Sequence, residues 1–181
     1  MRLDASKNFD TLRTARLLAQ RIRSDDCRVL ARLYADPAVM ATLGGVMPDV
    51  EARTRRFVDQ MLEHWDSRGY GLYLLRLPTG AFVGYSGLRH VQVGGAEELE
   101  ILYALHAQFW NQGYATEMAT RLCTLALDEI CAPDVVAFTL PANHASRRVM
   151  EKAGLRYERD VDWRNIVHVL YRRRRADGGS D

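Results

Sequence analysis

The sequence predicts an α/β protein of the α+β type, in which helices flank one mixed, largely antiparallel central sheet. Short apolar runs with turn residues between them, such as Leu72–Leu77, Pro78–Gly80 and Phe82–Leu88, are typical of hairpins. A longer run with apolar residues every three to four positions, Ala115–Ile130, is typical of a helix. Because hairpins outnumber strand–helix–strand units, a doubly wound parallel sheet is the less favoured alternative.

The first part of the chain predicts one strand and two helices. The strand covers Arg16–Arg23. Ser24 is a suitable N-cap for a helix over Asp26–Ala35. The Asp36–Pro37 pair ends this helix, since the residue before a proline avoids the helical conformation. A second helix is expected over Val50–Asp66.

The remaining elements follow the first hairpin. In chain order they are a glycine-rich turn at Gln92–Glu97, a strand over Glu98–Leu105, the helix ending at Ile130, a strand over Asp134–Leu140, a helix over Asn143–Gly154, and strands over Leu155–Trp163 and Ile166–Arg172. No internal repeat or linker divides them, so we expect one domain over residues 1–175 and a flexible tail over 176–181.

Composition indicates an enzyme-sized cytoplasmic protein. The 181 residues include 25 basic and 23 acidic ones, a net charge of +2 that favours neither a nucleic-acid nor a membrane partner. The first 30 residues lack a continuous apolar stretch, so no secretory signal or membrane anchor is expected. The three cysteines lack metal-like spacing, and no metal is predicted. The Arg172–Arg175 run is interpreted as a solvated end, with a nucleic-acid contact as the alternative.

The segment Phe109–Thr116 lies between a predicted strand and a predicted helix. Gly113 and Ala115 keep large side chains out of this loop. The backbone N–H groups of the first helical turn have no intrahelical partner, and they lie at the positive end of the helix. Such a site suits a phosphate or pyrophosphate group. Gly113 replaced by a β-branched residue is expected to weaken binding, because its side chain would occupy phosphate space.

A second motif begins at Asn143, a suitable N-cap, and ends at Gly154, which suits the left-handed end of a helix. With the first motif it resembles the GNAT superfamily of acyl-CoA-dependent N-acyltransferases, most closely the ribosomal-protein N-terminal alanine and serine acetyltransferases. The opening segment Thr14–Ile22 is also similar to that branch. The resemblance covers residues 12–172.

The resemblance implies acetyl-CoA as cofactor and CoA as product. It implies cofactor contacts from two strand-and-loop segments and one helix: Tyr103, Ala104, Leu105, Asn111, Gln112, Gly113, Tyr114, Ala115, Thr116, Asn143 and Ser146. The strand would splay at a bulge and pair with the pantetheine amides, with a plain buried strand as the alternative. Trp110 stands where the family usually has Gln or Arg, and its side chain is expected to be dispensable.

Glu100 is the candidate general base. Strand alternation places it on one face with Glu98 and Leu102, where it could take a proton from the amine. The alternative is that both glutamates form a solvated polar face. Glu98 is the next candidate if Glu100 is not the base.

The general acid is less defined, because Met150 stands where many superfamily members have a tyrosine, and it cannot donate a proton. Ser146 is the candidate, with Tyr157 as another source of the proton. Ser146 could instead cap its own helix. Arg147 and Arg148 either reach CoA phosphates or remain exposed helix charges.

Three functions are compatible with these residues. The first is acetyl transfer to a primary amine, a peptide N-terminus or a small molecule, by direct attack on the thioester. The second is a non-catalytic acyl-CoA sensor, which is compatible with Met150 at the position where many relatives have a proton donor. The third, another kind of nucleotide-binding protein, lacks a Gly-x-Gly-x-x-Gly or Lys-Ser/Thr phosphate loop. The acceptor would be set by Met40–Glu51 and the C-terminal hairpin. A homodimer is compatible with the sequence.

Overall fold

The strands form one eight-stranded sheet. The computed structural model describes residues 8–45 and 48–176. The strands are β1 (Thr11–Arg13), β2 (Leu18–Arg21), β3 (Leu72–Arg76), β4 (Phe82–Val93), β5 (Ala96–Leu105), β6 (Asp134–Thr139), β7 (Arg156–Trp163) and β8 (Ile166–Arg174). Their order is β1-β2-β3-β4-β5-β6-β8-β7, and every described pair is antiparallel except β5 with β6. The predicted fold class is confirmed.

Five α-helices accompany the sheet. They are α1 (Cys27–Tyr34), α2 (Pro37–Thr42), α3 (Val50–Arg68), α4 (Tyr114–Thr124) and α5 (His144–Lys152), with 3₁₀ turns at Ser24–Asp26 and Ala107–Phe109 and a π-helical segment at Leu125–Glu129. Within residues 8–45 and 48–176, no helix combines the length and the apolar character needed to cross a membrane.

The core lies between the helices and the sheet. Trp65 of α3 is buried, and its indole N–H donates to the carbonyl oxygen of Leu72 at 2.9 Å, which fixes α3 against β3. On the other part of the sheet, Met118 and Leu122 of α4 are fully buried. Burial of each such apolar side chain contributes about 1.5–3 kcal/mol. These contacts place the N-terminus of α4 at the end of β5.

Of two predicted breaks, one after α1 and one after β4, the first is confirmed and the second is shorter than expected. The Asp36–Pro37 pair ends α1 as predicted, and Pro37 also begins α2, because a proline at the first helical position needs no N–H partner. The Asp36 carboxylate caps α2 by accepting from the Ala38 N–H at 2.9 Å. The predicted turn over Gln92–Glu97 contracts to Gly94–Gly95, whose positive φ angles allow a tight hairpin between extended strands.

The N-terminal prediction is also corrected. The strand expected over Arg16–Arg23 is shorter, covering only β2, and a strand that was not expected, β1, precedes it; Arg16 lies in the turn between them. Ser24 does not cap α1; instead the Asp26 carboxylate accepts from the Arg23 N–H at 2.7 Å. The predicted acceptor segment includes residues 46 and 47, and the predicted tail includes 177–181, all of which lie outside the described residues.

Candidate active site

The site begins where β5 and β6 separate. Their register contains one pair, Glu100 with Val136, while β4 remains paired with β5 as far as Leu105. The strand therefore splays without a register shift against β4, so no bulge of the expected kind occurs in that pairing. Beyond Glu100, a cavity of about 930 Å³ opens beside β5, and Tyr103 and Leu105 line it.

The loop after β5 ends at the N-terminus of α4. Gly113 is the N-cap residue, and the first helical bond runs from the Glu117 N–H to the Gly113 carbonyl at 3.0 Å. The N–H groups of Tyr114, Ala115 and Thr116 precede that bond, so the helix supplies them with no acceptor. All three residues line the cavity. This end of the cavity can therefore bind an anionic group.

Positive φ angles shape this loop. Gly113 has φ +82° and Asn111 has φ +59°. A Cβ at position 113 would lie 3.3 Å from an Arg16 Nη atom. Backbone strain and contact with Arg16 are therefore two structural reasons for glycine here.

Arg16 supports the loop from its other side. Its Nη1 donates to the Gln112 carbonyl at 2.9 Å, and its Nε donates to the Glu117 carboxylate at 2.7 Å. The guanidinium carbon also lies 4.5 Å from the centroid of the Tyr114 ring. Gln112 itself does not line the cavity, since its side chain donates to the Gln108 carbonyl at 2.8 Å. Of the predicted cofactor residues, Gln112 alone lies outside the cavity wall.

Trp110 holds the start of the same loop. Its indole N–H donates to the Leu105 carbonyl at 2.8 Å, and its ring packs against the core. The Trp110 side chain thus has a structural role in this loop, while its dispensability for cofactor binding stays a prediction. The carbonyl of Leu105, the last residue of β5, thus accepts a hydrogen bond from the indole where the strand pairing ends.

The helix α5 brings Asn143 and Ser146 to the cavity. Asn143 caps it as predicted, because its side-chain oxygen accepts from the Ser146 N–H at 3.1 Å. The Ser146 hydroxyl does not cap the helix; it lies 2.8 Å from the Tyr103 hydroxyl. The Tyr103 hydroxyl is also 3.2 Å from the Ser146 carbonyl oxygen. Burial raises the Tyr103 pKa well above its ordinary value, so the phenol remains protonated.

Glu100 is buried, with only 4% of its surface exposed, yet it lines the cavity. The Nε of Arg89, directly across from it on β4, donates to one Glu100 oxygen at 2.6 Å. Burial alone would lower the pKa of Arg89, but the Glu100 carboxylate raises it overall. The interpretation of Glu98 and Glu100 as a solvated polar face is wrong.

Two tyrosine hydroxyls lie close to this ion pair. The hydroxyl groups of Tyr34 and Tyr85 are 3.1 Å apart, and both residues line the cavity. Burial raises the pKa of both, so both remain hydrogen-bond donors at neutral pH. The cavity thus contains this ion pair and these two phenols in addition to the anion site at the N-terminus of α4.

Comparisons with known proteins decide the family. The sequence profile of the Acetyltransferase (GNAT) domain matches residues 16–156. The chain belongs to the GNAT acetyltransferase family. It is 29% identical over 171 residues to the uncharacterized protein YkkB of Bacillus subtilis, covering 88% of this chain and 95% of YkkB.

Solved structures agree on the fold. An acetyltransferase from Agrobacterium tumefaciens superimposes with a TM-score of 0.81 at 24% identity, covering 97% of this chain and 100% of the other. RimL, described as a ribosomal L7/L12 alpha-N-protein acetyltransferase in complex with coenzyme A, gives 0.72 at 17% identity, with 91% and 98% covered. The predicted resemblance to this superfamily is confirmed, and the ribosomal enzymes share its fold.

Three other expected residues lie away from the acetyltransferase cavity. Met150 is buried in the core, with 1% of its surface exposed. The Tyr157 hydroxyl donates to Asp160 at 3.0 Å on the exposed strand β7, so Tyr157 is not beside Ser146. Arg147 is bound to the Tyr171 hydroxyl at 3.0 Å, whereas Arg148 lines the cavity.

Glu98 belongs to a structural ion network rather than to the cavity. Arg172 of β8 donates to both Glu98 oxygens, at 2.7 and 2.8 Å, and also to Asp134 and Glu158. These hydrogen bonds raise the pKa of Arg172, and the bonds to Glu98 have the largest effect. Glu98 is therefore a poor second candidate for the base, and the view of Arg172 as a solvated end residue is wrong.

Arg16, Arg89, Tyr34 and Tyr85 are site residues that the sequence did not reveal. Each is identified by a partner on a different element, and no local motif marks them. Within residues 8–45 and 48–176, no cluster of three or more His, Cys, Asp or Glu side chains could hold a metal ion.

Proposed function

We propose that this acetyltransferase transfers the acetyl group of acetyl-CoA to a primary amine, either a peptide N-terminus or a small-molecule amine, by direct attack on the thioester. One observation carries the proposal: the splayed edge of β5, the free N-terminus of α4 and the buried Glu100 carboxylate open into one cavity. An acyl thioester laid along that edge can meet an amine beside a carboxylate.

The residues present fit the cofactor. Acetyl-CoA supplies an acetyl group activated as a thioester. The N–H groups of Tyr114, Ala115 and Thr116 suit its pyrophosphate, and the free edge of β5 at Tyr103–Leu105 suits the pantetheine amides. Arg148 and Lys152 add positive charge where α5 lines the cavity.

Glu100 would take the proton from the acceptor ammonium, directly or through water. Arg89 occupies one of its oxygens, and the other accepts no hydrogen bond from the described part of the chain. The Arg89 guanidinium also fixes the carboxylate on the cavity wall. The Tyr34 and Tyr85 hydroxyls, held protonated, can orient a water beside it.

The Ser146–Tyr103 pair would return a proton to the departing sulfur. When the Tyr103 phenol donates to the Ser146 oxygen, the Ser146 hydroxyl proton is free to turn into the cavity. When Tyr103 donates to the Ser146 carbonyl instead, the serine hydroxyl donates to Tyr103. The pair can therefore present a proton from the first turn of α5.

A non-catalytic acyl-CoA sensor is the second candidate. Met150, which is buried and has no proton to donate, occupies the position where many members of the superfamily have their general acid. Thiol release from acetyl-CoA, measured with a panel of amines and peptides, separates the two functions. The proposal expects free thiol and an acetylated amine in equal amounts. Binding of acetyl-CoA without thiol release from any acceptor would favour the sensor.

A further inference from the structure

The acceptor end of the cavity is strongly basic. Glu100 lies roughly 17 Å along β5 from Leu105, where the anion-binding loop begins. The charged side chains lining this end of the cavity are Arg53 and Arg56 of α3, Arg89, Glu100, and Arg164 in the turn between β7 and β8. Four cations thus line the cavity together with one carboxylate.

Arg89 already neutralises that carboxylate. The two side chains are 17% and 6% exposed, and their ion pair measures 2.6 Å. Glu100 is also the only carboxylate among the described residues that line the cavity. The charges of Arg53 and Arg164 consequently have no counterion on the cavity wall.

Arg164 is held toward the cavity by its turn and by Trp163. Arg164 and Asn165 both have positive φ angles, 56° and 62°, in a two-residue hairpin turn closed by Trp163 and Ile166. Such a turn favours Asn, Asp or Gly, so arginine is an unusual occupant. Its guanidinium carbon lies 4.4 Å from the Trp163 ring centroid. Neither Arg164 nor Arg53 forms an ion pair within the part of the chain that the structure describes.

The neighbouring cations act on Arg164. Burial lowers its pKa, and the positive charges of Arg89 and Arg53 lower it further, while Glu100 offsets this only in part. The guanidinium groups are therefore close enough to repel one another. An anion placed between Arg53 and Arg164 would relieve that repulsion.

We infer that the acceptor amine carries an anionic group, a carboxylate or a phosphate, which Arg53 and Arg164 bind while the amine faces Glu100. The planar guanidinium fork matches both anions. This inference rests on the proposed function and names its acceptor class. A polycationic amine would find no unpaired carboxylate on the described cavity wall. The positive charges of the arginines would repel it.

The test uses matched acceptors in the thiol-release assay at saturating acetyl-CoA. Amino acids are compared with their carboxamides, and phosphoethanolamine with ethanolamine, which separates the two anions; spermidine represents polycations. We expect kcat/KM for the preferred anionic acceptor to exceed that of its neutral partner by about ten- to a hundredfold. Arg53→Gln and Arg164→Gln should each lower this anionic-to-neutral ratio about tenfold, mainly through KM.

Arg55→Gln is the matched control, since Arg55 is an exposed arginine of α3 that does not line the cavity. It should leave the ratio unchanged. Equal kcat/KM for charged and neutral partners, or spermidine as the preferred acceptor, would overturn the inference while leaving acetyl transfer intact. Thiol release from no acceptor, with acetyl-CoA bound, would overturn the proposed function and the inference together.

Discussion

Glu100 combines burial with access to the cavity, which few carboxylates can do without a partner. A buried, unpaired carboxylate would be strongly destabilised, and the Arg89 guanidinium removes that penalty. The pair has a second consequence, because Arg89 holds the carboxylate in one orientation on the cavity wall. The role proposed for Glu100 therefore depends on Arg89 as a positioning residue.

Replacing Glu100 by glutamine keeps the shape and removes the proton acceptor. We expect Glu100→Gln to reduce kcat by roughly 10²–10⁴-fold, with acetyl-CoA affinity unchanged. Glu97→Gln is the control, because Glu97 precedes it on β5 and is exposed. Steady-state thiol release and calorimetry measure the two quantities. An unchanged kcat at saturating amine would assign the proton to water or to another group.

The Tyr103–Ser146 pair gives a graded prediction. A thiolate leaves readily, so losing its proton donor should slow the reaction without abolishing it. We expect Ser146→Ala to lower kcat by roughly ten- to a hundredfold. Tyr103→Phe should have a smaller effect, since it leaves the serine hydroxyl in place. If Ser146→Ala reduced acetyl-CoA affinity more than kcat, Ser146 would be a cofactor contact instead.

At the scale of elements, the N-terminus of α4 depends on the β1–β2 turn. Glu117 lies in the first turn of α4, near the proposed pyrophosphate site. Burial would raise the Glu117 pKa, but hydrogen bonds from Thr14 and Arg16 lower it overall, so the carboxylate is charged. Arg16 therefore both supports the Gln112 carbonyl and neutralises a negative charge that would repel phosphate.

Arg16→Gln tests this support. It removes the charge opposite Glu117 and the bond to the loop, so we expect acetyl-CoA to bind about tenfold more weakly in calorimetry. Adding Glu117→Gln should restore part of the affinity, because the repelling charge is then removed. Arg13→Gln, at an exposed position of β1, is the control. An Arg16→Gln affinity equal to that of the wild type would contradict the role of Arg16.

Local patterns explain which elements the sequence could predict. The strand, loop and helix around Gly113 follow from alternation, helical periodicity and helix-end chemistry, all within a few residues. Asp36–Pro37 shows the limit, since the pair ends α1 as predicted but also begins α2, which the local pattern does not reveal. Arg16 shows a second limit, because its partner Glu117 is 101 residues away.

The candidate site likewise contains residues that local motifs predict and residues that depend on contacts between elements. Eleven predicted residues line the cavity because two motifs and one strand edge place them there, and Gln112 lies outside it because its side chain donates to the Gln108 carbonyl. The partner of Glu100 could not be predicted, since it depends on the register of β4 with β5. The apolar run from which the strand is predicted ends at Leu88, which leaves Arg89 outside it.

At the scale of the whole molecule, a histidine cluster joins α3 to the sheet. His64 Nδ1 lies 2.9 Å from the Tyr70 carbonyl, and its Nε2 accepts from the His90 N–H at 3.2 Å. His90 Nε2 lies 3.0 Å from the Tyr70 hydroxyl. Burial, foremost, lowers the pKa of both histidines below the ordinary value of 6.5. The neutral rings are the ones that fit the fold.

Stability should therefore depend on pH. As the pH falls, the unfolded chain takes up protons at these two histidines near pH 6.5, whereas the folded protein takes them up only at lower pH. The contribution of the two neutral histidines to the free energy of unfolding is therefore fully present above pH 6.5. It is lost as the pH falls from 6.5 toward the lowered folded-state pKa. Thermal melts from pH 7.5 to 5.5 should show a falling Tm. His64→Gln should flatten the curve, whereas the exposed His144→Gln should not, and equal curves would contradict the cluster's role.

Calorimetric titration of acetyl-CoA into the intact protein tests the central claim most directly. The free N–H groups of α4 and the open edge of β5 predict saturable one-to-one binding. A thermal melt at a ligand concentration a hundredfold above the dissociation constant should then show about 2.7 kcal/mol of stabilisation. Gly113→Val should weaken binding sharply through backbone strain and contact with Arg16. A folded wild-type protein that gives no binding heat and no thermal shift with acetyl-CoA would contradict the account.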